Sequence, residues 1–436
     1  MIEIPIHFMR FGYHAEQKYF NAPLRDCYEG IALNGNLVAY SPKGVSSFVS
    51  GLLSEKPYFI DPVTHAFGHS IKDISKVDES GNYVPKTAIK KLAEKYGDPV
   101  KSNIDSLRPT RPEDFPDKAL SAFVENVLSF QVNAITEGLR ETGDDKYIEP
   151  QVRVPAFLIA PYLYLSSNTY DLWLDANMRF IEESVSQRKD LPVFAELLVE
   201  NQAFLDPRIR ELLLERYSKC SAQGVVLWVE DFSEHDATPQ SLRDYRLFVS
   251  ALSKTGKNIV LAYGGYYSTI LTSIKGVSVC HGPGYGEDRE VTPVGGGISR
   301  PKFYYPKLRN RLPFGNVALA LSQAGIQDAE EFFKRVCDCV TCHEVIDGDF
   351  RKFAQFGESV TKLRSDGVAF EYATTAAKTI AVTHYIFNKG NEFDFVANNS
   401  VADIILDLRS SYDECSELFD VNEAAHLRAW AEALSK

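Results

Sequence analysis

Three cysteines in six residues, Cys337, Cys339 and Cys342 of CDCVTC, form the densest cluster of reactive side chains in this 436-residue chain. Thiolates are soft donors that suit Zn²⁺, and a tetrahedral site needs four Cys or His ligands. A single turn can deliver these three. The fourth must come from elsewhere, and His384 in AVTHYIFNK, at the end of the helix-like run TTAAKTIAVTHYIF, is the expected donor. His343 is nearer, but it adjoins Cys342, where shared ligation is strained. A filled Cys3His site is closed, so its zinc would be structural and not a Lewis acid. The plainer alternative is three free thiols near a helix end. A redox CxxC lacks its βαβ surroundings here. Cys27, Cys220, Cys280 and Cys415 are scattered and the total is odd, which argues against a disulfide framework and for a reduced compartment.

Carboxylates placed directly after apolar runs are the next candidates. Asp61 follows a strand-like run in PYFIDPVTHAFGH, where it could act as a pocket carboxylate or merely open a turn before Pro62. Glu230 and Asp231 end the run in GVVLWVEDFSEHD. Adjacent residues at a strand end point to opposite sides, so one faces the site. Asp231 is the candidate catalytic carboxylate and Glu230 a candidate substrate contact; both could instead cap the following loop. The pair Gly264 and Gly265 would let backbone amides approach a ligand, with Tyr263, Tyr266 or Tyr267 available for stacking. Arg300, Lys307, Arg309 and Arg311 could grip phosphates, although charge runs are more often solvated faces. His65 and His69 lie four apart after Asp61, the makings of a barrel metallohydrolase. Gly68 interrupts the helix that such spacing prefers, and the HxH common on the first strand of those enzymes is missing.

Short apolar, β-prone runs recur along the chain at 31–42, 57–69, 154–165, 192–201, 224–232, 258–267, 276–284 and 302–310. Continuous apolar runs mark strands buried on both faces, as in parallel sheets. Helical patterns such as 206–220 and 241–256 lie between them. Eight strands with intervening helices predict an α/β fold, a (β/α)8 TIM barrel over 1–325, with catalytic groups at the C-terminal strand ends. No GxGxxG follows the first strand, which argues against an open doubly wound sheet. Between the second and third runs about 85 residues intervene, more than one crossover needs, so an insertion is expected over about 81–150. Residues 326–436 read as a C-terminal helical, zinc-binding subdomain.

A CxCxxC cluster and a distant His after an eight-stranded barrel resemble the zinc subdomain of the tRNA-guanine transglycosylases. Four further segments are similar to that family's motifs, in order. FIDPVTH matches its base-binding loop and puts the aspartate on Asp61. LAYGGYYST matches its glycine pair at Gly264 and Gly265. HGPGYGEDR at 281–289 resembles its GVGxPED-like stretch. PKLRNR resembles its PTRxxR tail, carrying the arginines to Arg309 and Arg311. The family's nucleophilic aspartate, expected before that tail, is absent, since the segment reads KFYYP. The gap from Cys342 to His384 is also longer than usual. These departures favour the divergent branch that inserts 7-deazaguanines into DNA.

The resemblance implies a pentosyltransferase that exchanges guanine for a 7-deazapurine in nucleic acid, DNA before tRNA, through a carboxylate at C1′. It implies structural Zn²⁺ and no redox cofactor, and is compatible with protein partners that open the duplex and with a homodimer. A net charge of −12 means that any nucleic-acid contact must use a local basic patch or a partner. The alternative is a non-catalytic zinc-containing barrel subunit that positions nucleic acid or a partner. MIEIPIHFMRFG lacks a charged leader with a long apolar run, and no segment holds about 18 uninterrupted apolar residues, so a cytoplasmic chain without membrane contact is expected.

Overall fold

Runs that are apolar on both faces fold here as strands covered on both faces. In a computed structural model of the chain, eight strands pair side by side, all parallel. They are β1 (His7–Phe11), β2 (Gly30–Asn34), β3 (Tyr58–Asp61), β4 (Leu158–Ile159), β5 (Val193–Glu200), β6 (Gly224–Glu230), β7 (Asn258–Ala262) and β8 (Val277–His281). The structure describes residues 6–12, 14–21, 23–52, 56–142, 154–284, 287, 290–292, 300–363 and 367–435. β1 lies between β2 and β8, with Phe8 opposite both Gly30 and Cys280. The sheet is thus a nearly closed (β/α)8 barrel.

The seam lies between β3 and β4. Ala156 N–H donates to the Tyr58 carbonyl at 2.7 Å across it. β4 is only two residues long because a side chain replaces its missing neighbour. Gln131, fully buried in the helix Asp117–Thr142, donates to the Ile159 carbonyl and accepts from its N–H, both at 2.8 Å. Paired backbone groups are obligatory in a dry interior, and one amide side chain satisfies both.

Membership of the barrel differs from the sequence expectation at both ends. HFMRF is the first strand, although its five residues contain an arginine and do not read as a continuous apolar run. The segment at 302–310 is not a barrel strand. Lys302–Tyr305 (β9) pairs antiparallel with Asn310–Pro313 (β10). Its aromatic residues are buried as expected, but by other partners: Phe303 packs on Phe353, Phe356 and His384. The expected insertion accordingly falls between the third and fourth strands. It holds a small hairpin (Ser75–Val77 with Tyr83–Pro85) and the helices Thr87–Tyr96 and Val100–Asp105 before the long crossover helix.

Two compact units result. One comprises Met1–Asn21, Tyr28–Ser233 and Asp244–Pro293, and contains the barrel; the other comprises Ala22–Cys27, Glu234–Arg243 and Val294–Lys436. The division therefore falls near 293 and not at 325. The second unit is mostly helical, with β9–β10 and one further hairpin, β11 (Ser359–Leu363) with β12 (Ala369–Ala373). Among the described residues no helix is long and apolar enough to cross a membrane.

Strand periodicity sorts the barrel interior into layers. Phe8, Phe59, Phe157 and Phe194 fill its lower part, with Phe157 stacked on Phe59 at 4.7 Å and on Phe194 at 4.0 Å. Two residues further along the same strands, the inward positions become Arg10, Asp61 and Glu196. On these three strands the charged groups thus lie toward the C-terminal end of the barrel, above a plug of aromatic rings.

Candidate functional site at the barrel mouth

A cavity of about 160 Å³ opens at that end, lined by residues that include Arg10, Asn34, Asp61, His65, His69, Trp228 and Tyr263. A smaller recess of about 20 Å³ is lined by Arg10, Asp61, Tyr263, Glu196 and Cys280. Just past three strand ends, Val63, Asp231 and Tyr263 adopt left-handed backbone with φ of 53°, 53° and 57°. Non-glycine residues there cost about 1–3 kcal/mol each, and such strain gathers at functional sites.

Asp61 ends β3 and is held by its own turn. Its Oδ1 accepts from the Val63 N–H at 2.8 Å and from Tyr162 Oη at 2.7 Å. Neither bond uses Oδ2. Tyr162 is fixed in turn, since its N–H and carbonyl both bond Thr64 Oγ1, at 2.8 and 2.7 Å, and His65 Nδ1 lies 3.0 Å from its hydroxyl. Gly35 permits β2 to turn against β3 here, because a Cβ would sit 2.6 Å from the Asp61 carbonyl. Arg10 lies over the Tyr263 ring, 5.1 Å from its centre. Burial works against the Arg10 charge, but Tyr263, Asp61 and Glu16 more than offset it and raise its pKa. Tyr263 also packs on Trp228 at 4.5 Å, which gives the cavity an aromatic wall.

Glu196, unremarked in the sequence, completes the polar layer. It is 3% exposed, and burial followed by the nearby charge of Asp61 holds its carboxyl well above the usual range. The signal was present: a glutamate in the middle of PVFAELLVEN, two residues after an inward Phe, must face the barrel interior. Burial pushes the Cys280 thiol up to about 12 against the pull of Arg10.

His69 contributes a neutral imidazole. Burial lowers its pKa from 6.5 to about 4, with Asp73 opposing, and its Nε2 has no partner among the described residues. The unfolded chain takes up this proton near 6.5 while the folded chain resists until about 4. The His69 contribution to stability is therefore complete above pH 6.5 and is lost as the pH falls toward 4. Urea midpoints measured across that window should fall with pH, and fall less in His69→Gln.

The other anticipated residues sit differently. Asp231 is exposed on its left-handed turn and does not line the cavity; its carbonyl accepts from Asn201 at 3.4 Å. Glu230 shares the inward phase of Val226 and Trp228. It accepts from Tyr164 Oη and, at 3.1 Å, from the Val291 N–H. Gly264 gives its N–H to the Cys280 carbonyl at 3.2 Å, and a Cβ there would lie 2.5 Å from that of Ser268, so close packing accounts for this glycine. Gly265 precedes the short helix Tyr266–Leu271. In the second unit, Lys307 bonds Glu414 at 2.7 Å, Arg309 pairs with Asp407 at 3.0 Å, and Arg311 lies over the Tyr385 ring at 4.2 Å. These three cations have partners within their own unit, while Arg300 is exposed. GGGIS (295–299) and much of HGPGYGEDR lie outside the described residues.

The cysteine cluster is assembled within the second unit. Cys339 caps the helix Val340–Ile346, its Sγ accepting from the Cys342 N–H at 3.4 Å, and Cys337 precedes it in the chain. His384 lies near the middle of the helix Thr375–Asn398, which runs on past the end expected from sequence. Its Nδ1 is 3.9, 3.2 and 3.4 Å from the sulfurs of Cys337, Cys339 and Cys342. All four residues are buried, and their donor atoms lie within 4.8 Å of one another. His384 Nε2 lies 2.7 Å from the Tyr304 carbonyl, an acceptor that keeps the proton on Nε2 and leaves the Nδ1 lone pair facing the thiols. Phe303 stacks on the ring at 4.4 Å. His343 instead bonds Asp338, on the exposed side. Such a donor set fits a metal ion. No other group of three or more His, Cys, Asp or Glu donors converges in this way among the described residues, and that includes Asp61, His65 and His69.

No protein-family model and no curated protein matches this chain.

Proposed function

We propose that the protein is a zinc-stabilised transglycosylase that exchanges guanine for a 7-deazapurine in nucleic acid, with DNA preferred to tRNA. One observation carries this reading: Asp61 opens onto an aromatic-walled cavity at the C-terminal end of the barrel, with Oδ2 free of the bonds that fix Oδ1. Asp61 takes the nucleophilic role in place of Asp231, which lies off the cavity. Its Oδ2 attacks C1′ while the C1′–N bond breaks and the electron pair leaves with the base, which takes up a proton. An incoming base, having lost its proton, then attacks C1′ and returns the pair to Asp61. Trp228 and Tyr263 suit a planar heterocycle. Such a cavity needs the nucleotide out of its stack, so single-stranded or partner-opened DNA is the expected substrate. Zn²⁺ in the Cys3His cluster would hold the second unit together and take no part in the reaction.

The second reading is a non-catalytic barrel subunit. Two observations favour it: β8 ends in His281 and not in a carboxylate, and Lys307, Arg309 and Arg311 are already engaged. Incubation with labelled guanine or a labelled 7-deazaguanine, together with DNA or tRNA, separates the two. Label retained in DNA is the expected result; label in neither nucleic acid, with opened strands and candidate partners supplied, would leave only the subunit reading.

A further inference from the structure

We propose that Glu196 is the proton carrier of the barrel mouth, protonating the departing base and recovering a proton from the incoming one. The chemistry rests on the base-exchange reading above; the geometry does not. Glu196 lines the same recess as Asp61 and Arg10, and its Oε2 has no hydrogen-bond partner among the described residues. A buried polar atom facing a cavity without a partner carries a desolvation cost that a bound ligand can relieve.

Burial, and after it the Asp61 charge, favour the neutral acid at Glu196, while the Tyr162 hydroxyl and Arg10 oppose it.

The coupling to Asp61 makes the carrier self-timing. When Asp61 bonds to C1′ its charge is consumed, and the repulsion that added to burial in raising the Glu196 pKa disappears. Glu196 thus becomes a stronger acid at the step where the leaving nitrogen needs a proton. The carboxylate that remains faces Arg10. When the incoming base has given its proton to Glu196 and displaced Asp61, both groups return to their starting states. One proton and one electron pair are passed and returned, with no outside reagent. Two carboxyl groups whose environments separate their protonation states commonly divide such roles.

The full-length wild type, Glu196→Gln and Asp61→Asn proteins test this. Infrared difference spectra across a pH titration should contain a buried carboxylic-acid band at neutral pH that Glu196→Gln lacks. In Asp61→Asn the same band should titrate at lower pH, because the neighbouring charge is gone. Glu196→Gln should lower guanine exchange about 100-fold. It should leave the first-turnover burst of nitrophenolate from a nitrophenyl deoxyriboside near the wild-type rate, since nitrophenolate departs unprotonated and the burst precedes the step in which Glu196 takes up a proton. A missing band, a band that Asp61→Asn does not move, or equal slowing of both substrates overturns the role of Glu196. A wild type that exchanges no base under any condition overturns the base-exchange reading itself, and the Glu196 role with it.

Discussion

Chelation of the metal, or Cys339→Ser, is expected to unfold the C-terminal unit while the barrel keeps its hydrogen-exchange protection. The cluster joins segments far apart in the chain, Cys337–Cys342 and His384, and Cys339 also caps a helix. His384 ties the long helix to the β9–β10 hairpin through Tyr304. Hydrogen bonds from Cys337 and Cys342 already pull the Cys339 thiol far below its ordinary range despite its burial, a state that suits metal ligation. Binding energies at structural zinc sites are about 10–16 kcal/mol in small domains, comparable to or larger than the whole stability of most folds. Metal analysis should find about one zinc per chain. Less than half an equivalent in carefully handled protein, or exchange protection over 300–435 that survives chelation, would rule out a structural metal.

Asp61→Asn is expected to reduce base exchange by about 10³-fold or more, since the amide has the shape of the carboxylate but cannot form or release the glycosyl bond. The substitution should preserve the fold, because Asn can still accept from the Val63 N–H and Tyr162. Asp231→Asn, at an exposed position off the cavity, should cost little. Steady-state rates for the two variants, read beside their melting temperatures, decide between them. If Asp231→Asn is the inactive variant, the nucleophile has been assigned to the wrong strand. Stability gives an independent reading of the site: burial and the Asp61 charge raise the Glu196 pKa in the folded chain above that of the unfolded chain. Its stabilising contribution is whole below the ordinary glutamate range and falls as pH rises, by about 1.4 kcal/mol per pH unit until the folded group itself ionises. Glu196→Gln removes that slope, so the variant impaired in exchange should also be the more stable one near pH 7.

Sequence by itself determined the parts whose physics is local. Continuous apolar runs specify strands buried on both faces, and their number with intervening helices specifies a parallel α/β barrel. The spacing of Cys337, Cys339 and Cys342 specifies a turn of converging thiols. His384 was also legible as the fourth donor, since the adjacent His343 could not reach back. Period-two alternation even contained Glu196, two residues after an inward phenylalanine, although its burial among apolar neighbours disguised it.

What only the tertiary structure decided depends on which segments meet. HFMRF and KFYY are similarly short, yet one closes the barrel against β8 and the other pairs with NRLP in a hairpin of the second unit. No local signal distinguishes them, because strand pairing is fixed by partners distant in the chain. The same holds for Glu230 and Asp231, where the phase of β6 turned Glu230 inward and left Asp231 on a strained, exposed turn. Lys307, Arg309 and Arg311 read as a basic run until Glu414, Asp407 and Tyr385, far along the chain, are folded onto them. Charge in a sequence is a property of residues, but an available charge is a property of their neighbours.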